Sequence, residues 1–204
     1  IEGVAGEDVI WVPRAGEDAQ EVARRMASVI GTRIGWKDME TDVVWPGRSM
    51  DRTNWSGAEL VLSAAHNSES LSHDLGRLGS ERHVLVVGMT QKEDLSESIE
   101  PLLRTEGRIR TIVTEVHGGR TPSVHAEHLS ESLSADSGEP PLIIKEPIEA
   151  IDTASREASK EGCIVFVTGS VYLVGQAVEE MVSRENGNLW EYLEAHRPRE
   201  QTEV

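Results

Sequence analysis

The 204 residues include one cysteine, one phenylalanine, two tyrosines and four lysines, and each shortage excludes something. A single thiol, Cys163, rules out an internal disulfide and suits a reducing compartment, so a cytoplasmic location is expected. Cys163 opens an apolar run, where a buried and unreactive thiol is expected. The longest apolar runs are far too short to cross a bilayer, and no charged-then-apolar leader opens the chain. Position 1 is Ile rather than Met, which reads as a fragment, a processed product or an excised piece. No G-x-x-x-x-G-K-[ST] loop occurs anywhere, so nothing in this polypeptide would cradle the β- and γ-phosphates of a nucleotide.

Positive charge is also scarce. Twenty basic residues stand against 36 acidic ones, for a formal net charge of −16. A surface this negative repels phosphate backbones and anionic lipids, so neither nucleic acid nor membrane is an expected partner. The acidic excess fits a protein adapted to high salt and fits an ordinary acidic protein equally well.

What is present is alternation. After a helical stripe over 19–34 (Val22, Met26, Val29, Ile30), Pro46-Gly47 breaks any regular element. Strands are expected at 59–65, 83–88, 109–116, 141–145 and 163–169. Helices follow each of them: to about Gly79, over 94–107, over 121–134 with Pro122 in its first turn, over 147–162 closing on Gly162, and over 171–184. Residues 134–141 read as a loop, and 196–204 as a frayed tail.

Strands that are apolar throughout, separated by helices, predict an α/β fold. It is expected to be a Rossmann-like three-layer sandwich around a mostly parallel sheet of five or six strands. Ligands bind such sheets at the carboxyl ends of their strands. The stretches to inspect are therefore 63–67, 88–92, 115–120 and 168–170. In the last of these, Thr168-Gly169-Ser170 makes a tight turn into a helix. Its glycine permits close backbone approach, its serine can act as N-cap, and its amides favour a carboxylate or phosphate.

The order of motifs carries more than any one of them. "WPGR" (45–48), "LVLSAAHN" (60–67), "VLVVGMTQKED" (84–94), an arginine near the next strand end and "VTGSVYLVG" (167–175) follow in sequence. Together they resemble the C-terminal domain of the Mur ligase superfamily, most closely that of folylpolyglutamate synthase and dihydrofolate synthase. On that resemblance, residues 1–44 would be the tail of a preceding ATPase domain or a linker helix. Residues 45–186 would be the ligase-like α/β domain, and 187–204 a C-terminal helix and tail.

The resemblance implies ATP-dependent amide formation in one-carbon metabolism, with ATP and Mg2+ as cofactors and the magnesium ligands outside this chain. A P-loop central domain would be the partner, with glutamate and a carboxylate acceptor of pterin type as substrates. Arg48, Ser63 and Asn67 would meet the nucleotide. His66 and Ser170 would lie at the reacting groups near the incoming glutamate, His66 as a donor. Lys92, Arg120 and Thr168 would complete the substrate side. Without a P-loop, the polypeptide alone is not expected to turn over ATP.

One departure stands out. The family pattern places aspartate where this chain has Ser63, with Ala64 in place of the glycine that follows. Serine carries no charge to hold Arg48, so the chain is either a ligase with a compensating acid or a degenerate, non-catalytic binding or assembly module. No asparagine occurs around 18–20, where relatives often have one. His117, His125 and His128 are expected to lie on an exposed helix face rather than to bind metal, because no cysteine cluster or acidic ligand is obvious near them. Five tryptophans, four of them before the first expected strand, suggest an interdomain or subunit surface.

Overall fold

The computed structural model describes residues 47, 50–134, 140–185 and 187, all within one compact unit, Val44–Arg197. Arg48, the expected helix over 19–34, Trp11, Trp36, Trp45, Trp190 and the tail lie outside the described residues.

Among the described residues, six strands form one sheet in the order β1-β2-β6-β3-β4-β5. They are β1 (Asp51–Trp55), β2 (Ala58–Leu62), β3 (His83–Val87), β4 (Arg108–Val113), β5 (Leu142–Ile143) and β6 (Ile164–Thr168). All neighbours run parallel except β1, which pairs antiparallel with β2. The last strand in sequence is therefore central, flanked by β2 (Leu62 opposite Val167) and β3 (Val87 opposite Thr168).

Among the described residues, five helices cover the sheet: α1 (Ser68–Leu78), α2 (Leu95–Leu103), α3 (Ala126–Ser134), α4 (Pro147–Glu161) and α5 (Val171–Arg184). Alternate strand residues divide the core in two. Leu60, Leu62, Val84, Val86, Val165 and Val167 pack with α4 and α5. Val61, Leu85, Val87 and Phe166 face the other way, against Leu71 and Leu78 of α1, Ile99 and Leu102 of α2 and Leu129 and Leu133 of α3. Burial on both faces is why these strands read as unbroken apolar runs, and the three-layer expectation is met.

Local chemistry sets the element ends. Asn67 caps α1 by accepting from the Ser70 amide at 2.9 Å. Asp94 caps α2 by accepting from the Glu97 amide at 2.9 Å. Pro147 opens α4 and left-handed Gly162 closes it. Pro101 sits inside α2, which ends two residues later.

Several expectations are corrected. No regular element is expected around Pro46-Gly47, yet β1 begins at Asp51: its residues alternate between half-buried and exposed up to buried Trp55, and an edge strand with one wet face leaves no apolar run. It joins β2 through Ser56-Gly57, both with positive φ (51° and 88°), as a two-residue hairpin turn requires. β5 shrinks from five residues to two. Helix α3 begins at Ala126, so Pro122 lies in the preceding loop, where its carbonyl accepts from the Gln91 amide at 2.9 Å. Trp55 is not at a surface but 2% exposed, its Nε1 donating to Asp152 Oδ1 at 2.6 Å. Cys163 is half-buried rather than buried, and desolvation pushes its thiol up, which keeps it protonated and unreactive.

Candidate binding site at the carboxyl edge of the sheet

Five parallel strands deliver their carboxyl ends to one edge, and the four that carry candidate residues are contiguous: β2, β6, β3 and β4. Beyond β2 the chain passes through Ser63 and His66 to the α1 cap. Beyond β6 it makes the Thr168-Gly169-Ser170 turn into α5.

The β2 and β6 ends are stitched together. The Ser63 amide donates to the Val167 carbonyl at 2.9 Å, and the Gly169 amide to the Ala65 carbonyl at 3.0 Å. Thr168 Oγ1 donates to Ser63 Oγ at 3.1 Å, and Ser63 Oγ donates to Asp74 Oδ2 of α1 at 2.6 Å. Gly169 has φ 101°, and a Cβ there would lie 2.7 Å from the Gly88 carbonyl oxygen. Only glycine fits this turn, and its absence of a side chain lets the β6 and β3 ends touch.

Ser170 is 2% exposed and caps α5, its Oγ accepting from the Tyr172 amide at 3.2 Å. His66 is half-buried. Its Nδ1 lies 3.0 Å from the Ala64 carbonyl, and because a carbonyl only accepts, Nδ1 carries the hydrogen. Nε2 is thus a lone-pair acceptor in the neutral ring and a donor only when the ring is protonated. Asn67 spends its Oδ1 on Ser70, leaving its amide nitrogen for a ligand. Arg48 lies outside the described residues. Its neighbour Gly47 accepts from the Ala64 amide at 2.7 Å and donates to Asp51 Oδ2 at 2.6 Å, which ties that segment's start to the β2 end.

Lys92 and Arg120 arrive on two loops that are zipped together. Thr90 bridges Ser123, the Val124 amide donates to the Met89 carbonyl at 2.8 Å, and the Val116 amide donates to Ser123 Oγ at 2.8 Å. The first turns of α5 then hold the Arg120 loop. The Arg120 amide donates to Tyr172 Oη at 3.4 Å and the His117 amide to Gln176 Oε1 at 3.3 Å. Sequence reasoning missed Asp74, Tyr172 and Gln176. Of these, only Asp74 leaves a trace, as a carboxylate on the buried stripe Leu71-Asp74-Leu78.

The histidines behave in part as expected. His117, His125 and His128 are exposed, but only His128 lies on a helix, α3, so the expected common helix face is not formed. Contrary to expectation, acidic groups do stand beside His125: ligand atoms of Glu115, His125 and Glu127 lie within 4.8 Å of one another. Lys145 already fills the gap, 2.7 Å from Glu127 and 3.7 Å from Glu115. Its ammonium holds the Glu127 carboxyl below the usual range. A cation would have to displace Lys145, so the group does not fit a resident metal.

A covered parallel sheet with a Gly-Ser turn, a histidine and loops bearing Lys92 and Arg120 at its carboxyl edge defines the class as a parallel α/β domain with polar loops gathered at that edge. Comparison narrows the class. A family described as "Dihydrofolate synthetase, C-terminal domain" matches residues 48–180, and the chain belongs to that family.

Solved structures share the fold. Folylpolyglutamate synthase of Mycobacterium tuberculosis, complexed with ADP and AMPPCP, is similar at 21% identity and TM-score 0.64, with 82% of this chain and 41% of that one covered. FolC of E. coli in complex with ADP gives 21% and 0.59, covering 82% and 40%. Folylpolyglutamate synthase of Thermotoga maritima gives 22% and 0.58, covering 83% and 38%. The chain thus spans about two fifths of the length of these relatives. A comparison with curated proteins found no match.

Proposed function

We propose that this domain forms the amino-acid and nucleotide-closing wall of an ATP-dependent ligase that joins glutamate to a pterin-type carboxylate. The observation that carries the reading is the stitched β2–β6 edge, which sets His66 and the Ser170 turn on adjacent strand ends. Residues 45–186 are the working domain. Residues 1–44 belong to the tail of a phosphate-binding portion that carries the P-loop and the magnesium ligands, either earlier in the same protein or on another subunit.

ATP, when bound, would supply the phosphoryl group that activates the acceptor carboxylate; the glutamate amine would then attack its carbonyl carbon and phosphate would leave. The residues present suit the charged groups involved. Amides at the α5 start, the Lys92 ammonium and the Arg120 guanidinium are donors and cations, the chemistry that carboxylate and phosphate oxygens require. His66, with its Nδ1 hydrogen committed, meets an oxyanion through protonated Nε2 or accepts a proton from the incoming amine through neutral Nε2. Thr168 and Gly169 fix where Ser170 stands. Arg48, on the segment following Gly47, is assigned to the nucleotide phosphates.

The test is ADP formation by the chain joined to a P-loop portion, with glutamate and a pterin carboxylate present. Arg48→Ala, His66→Ala and Ser170→Ala are each expected to lower kcat/KM by roughly 10²-fold, in the range of lost transition-state contacts. Unchanged rates in His66→Ala and Ser170→Ala would remove this edge from the site. No ADP with any acceptor would favour the second reading, a non-catalytic module, which rests on the uncharged Ser63.

A further inference from the structure

We infer that Asp74 is a positioning residue for the carboxyl-edge site, acting through Ser63 on both His66 and the Ser170 turn; the functional side of this inference rests on the ligase reading above. Asp74 is only 7% exposed and occupies the inward stripe of α1 between Leu71 and Leu78. An apolar residue would pack there without penalty, whereas a buried carboxylate is tolerated only with good partners. Its partner on the sheet side is Ser63 Oγ at 2.6 Å, the short distance of a hydroxyl donating to a charged acceptor. On its outer side Oδ1 meets His73 Nδ1 at 3.1 Å.

A hydroxyl has one hydrogen to give. Because Ser63 gives its hydrogen to Asp74, its lone pairs are turned toward Thr168 Oγ1 at 3.1 Å and the Ala65 amide at 3.2 Å. The carboxylate, which cannot donate, fixes the direction of the whole relay: Thr168 to Ser63 to Asp74. Every link touches a site segment. Thr168 precedes the Gly169-Ser170 turn. Ala65 accepts from Gly169 and precedes His66, whose ring is held by the Ala64 carbonyl. The negative charge that the sequence pattern would put at position 63 thus stands one hydrogen bond away, reached from the helix instead of the strand. Ser63 has spent its hydrogen on that link, so it serves the site as a relay.

Two measurements test this. In the 204-residue chain, Asp74→Asn keeps the volume but replaces the charged acceptor with a neutral amide, which weakens the hold on Ser63 Oγ. Amide resonances of Ala65, His66 and Gly169 are expected to shift while those of β4 and β5 stay in place. If the three amides do not move, the inference is overturned whatever the ligase assay shows.

In the assembly that includes the P-loop portion, Asp74→Asn is expected to lower kcat about tenfold while nucleotide KM changes less than about twofold, since a small misplacement of reacting groups acts on turnover. The reciprocal swap Ser63→Asp/Asp74→Ser, which restores one carboxylate and one hydroxyl at the node, is expected to recover kcat to within about threefold of wild type. Ser63→Asp alone sets two carboxylates against each other and is expected to be worse than Asp74→Asn. A full kcat in Asp74→Asn, or a swap no better than the worse single variant, overturns the inference. Shifted amides together with a wild-type assembly that makes no ADP would leave the relay standing and sink the ligase reading.

Discussion

His83 shows how a single side chain can set a pH limit. It is fully buried at the start of β3, its Nδ1 donating to the Glu81 carbonyl at 2.7 Å and its ring meeting the Phe166 edge with centroids 6.0 Å apart. Its Nε2 is buried without a partner. Burial lowers its pKa, the Glu81 carbonyl and carboxylate resist the shift, and the nearby Arg108 guanidinium adds to it. A histidine whose folded-state value is depressed leaves the unfolded chain holding more protons. Stability is therefore complete above the unfolded value of about 6.5 and falls as pH drops below it, at no more than about 1.4 kcal/mol per pH unit. Chemical denaturation between pH 7.5 and 5.5 is expected to show this slope, and His83→Asn, which keeps a donor for Glu81, is expected to flatten it. Nothing in the sequence announced that role, because histidine at a strand start reads the same buried or exposed. The placement of Ser170 and His66 beyond strand ends, by contrast, was legible, since a small or polar residue that ends an apolar run before a helix has few other places to be. Asp74 left only its place on a buried stripe as a trace, because its three-dimensional pairing with Ser63 is invisible to spacing.

Secondary elements were legible where burial is two-sided, as in β3 and β6, and illegible where it is not, as in β1. The β1–β2 hairpin depends on a cluster that local pattern cannot show. Arg184 of α5 makes paired hydrogen bonds to Asp152 of α4 at 3.1 and 3.0 Å, and its guanidinium lies 4.5 Å from the Trp55 ring centroid. Trp55 donates to the same carboxylate. Partial burial would raise the Asp152 pKa, but Arg184 and Trp55 outweigh it and hold the group below its usual range. Because Arg184 is only about one-third exposed (37%), screening weakens but does not erase the pair. Arg184→Ala is expected to destabilise the chain by about 1–2 kcal/mol, the sum of a charge-assisted pair and a cation–π contact. Thermal unfolding measures it; an unchanged midpoint would show that the cluster holds nothing. The carboxyl-edge site lies away from this cluster, so the loss should fall on stability.

The net charge of −16 acts on the protein as a body. Many of its cations are already matched: Arg52 with Glu81, Arg82 with Glu161, Arg104 with Glu100 and Arg110 with Glu157. What remains is mutual repulsion among acids, which salt screens within about 10 Å at 0.1 M. The melting temperature is expected to rise between low salt and 1 M KCl; a flat response would mark the acid excess as serving solubility alone. Composition made this legible without any structure. The order of motifs likewise made the fold legible, because those that begin at Leu60, Val84 and Val167 each run along a strand to its carboxyl end.

That topology has an outcome for biosynthesis. The hairpin of β1 and β2 and the trio β3, β4 and β5 emerge from the ribosome first, yet neither set bonds to the other. Only when residues 164–168 slide between them do the halves become one sheet, so until then two inward-facing edges lie open to any passing strand. Premature termination just before that wedge would leave two unjoined half-sheets prone to clumping, rather than a domain merely lacking its last helix.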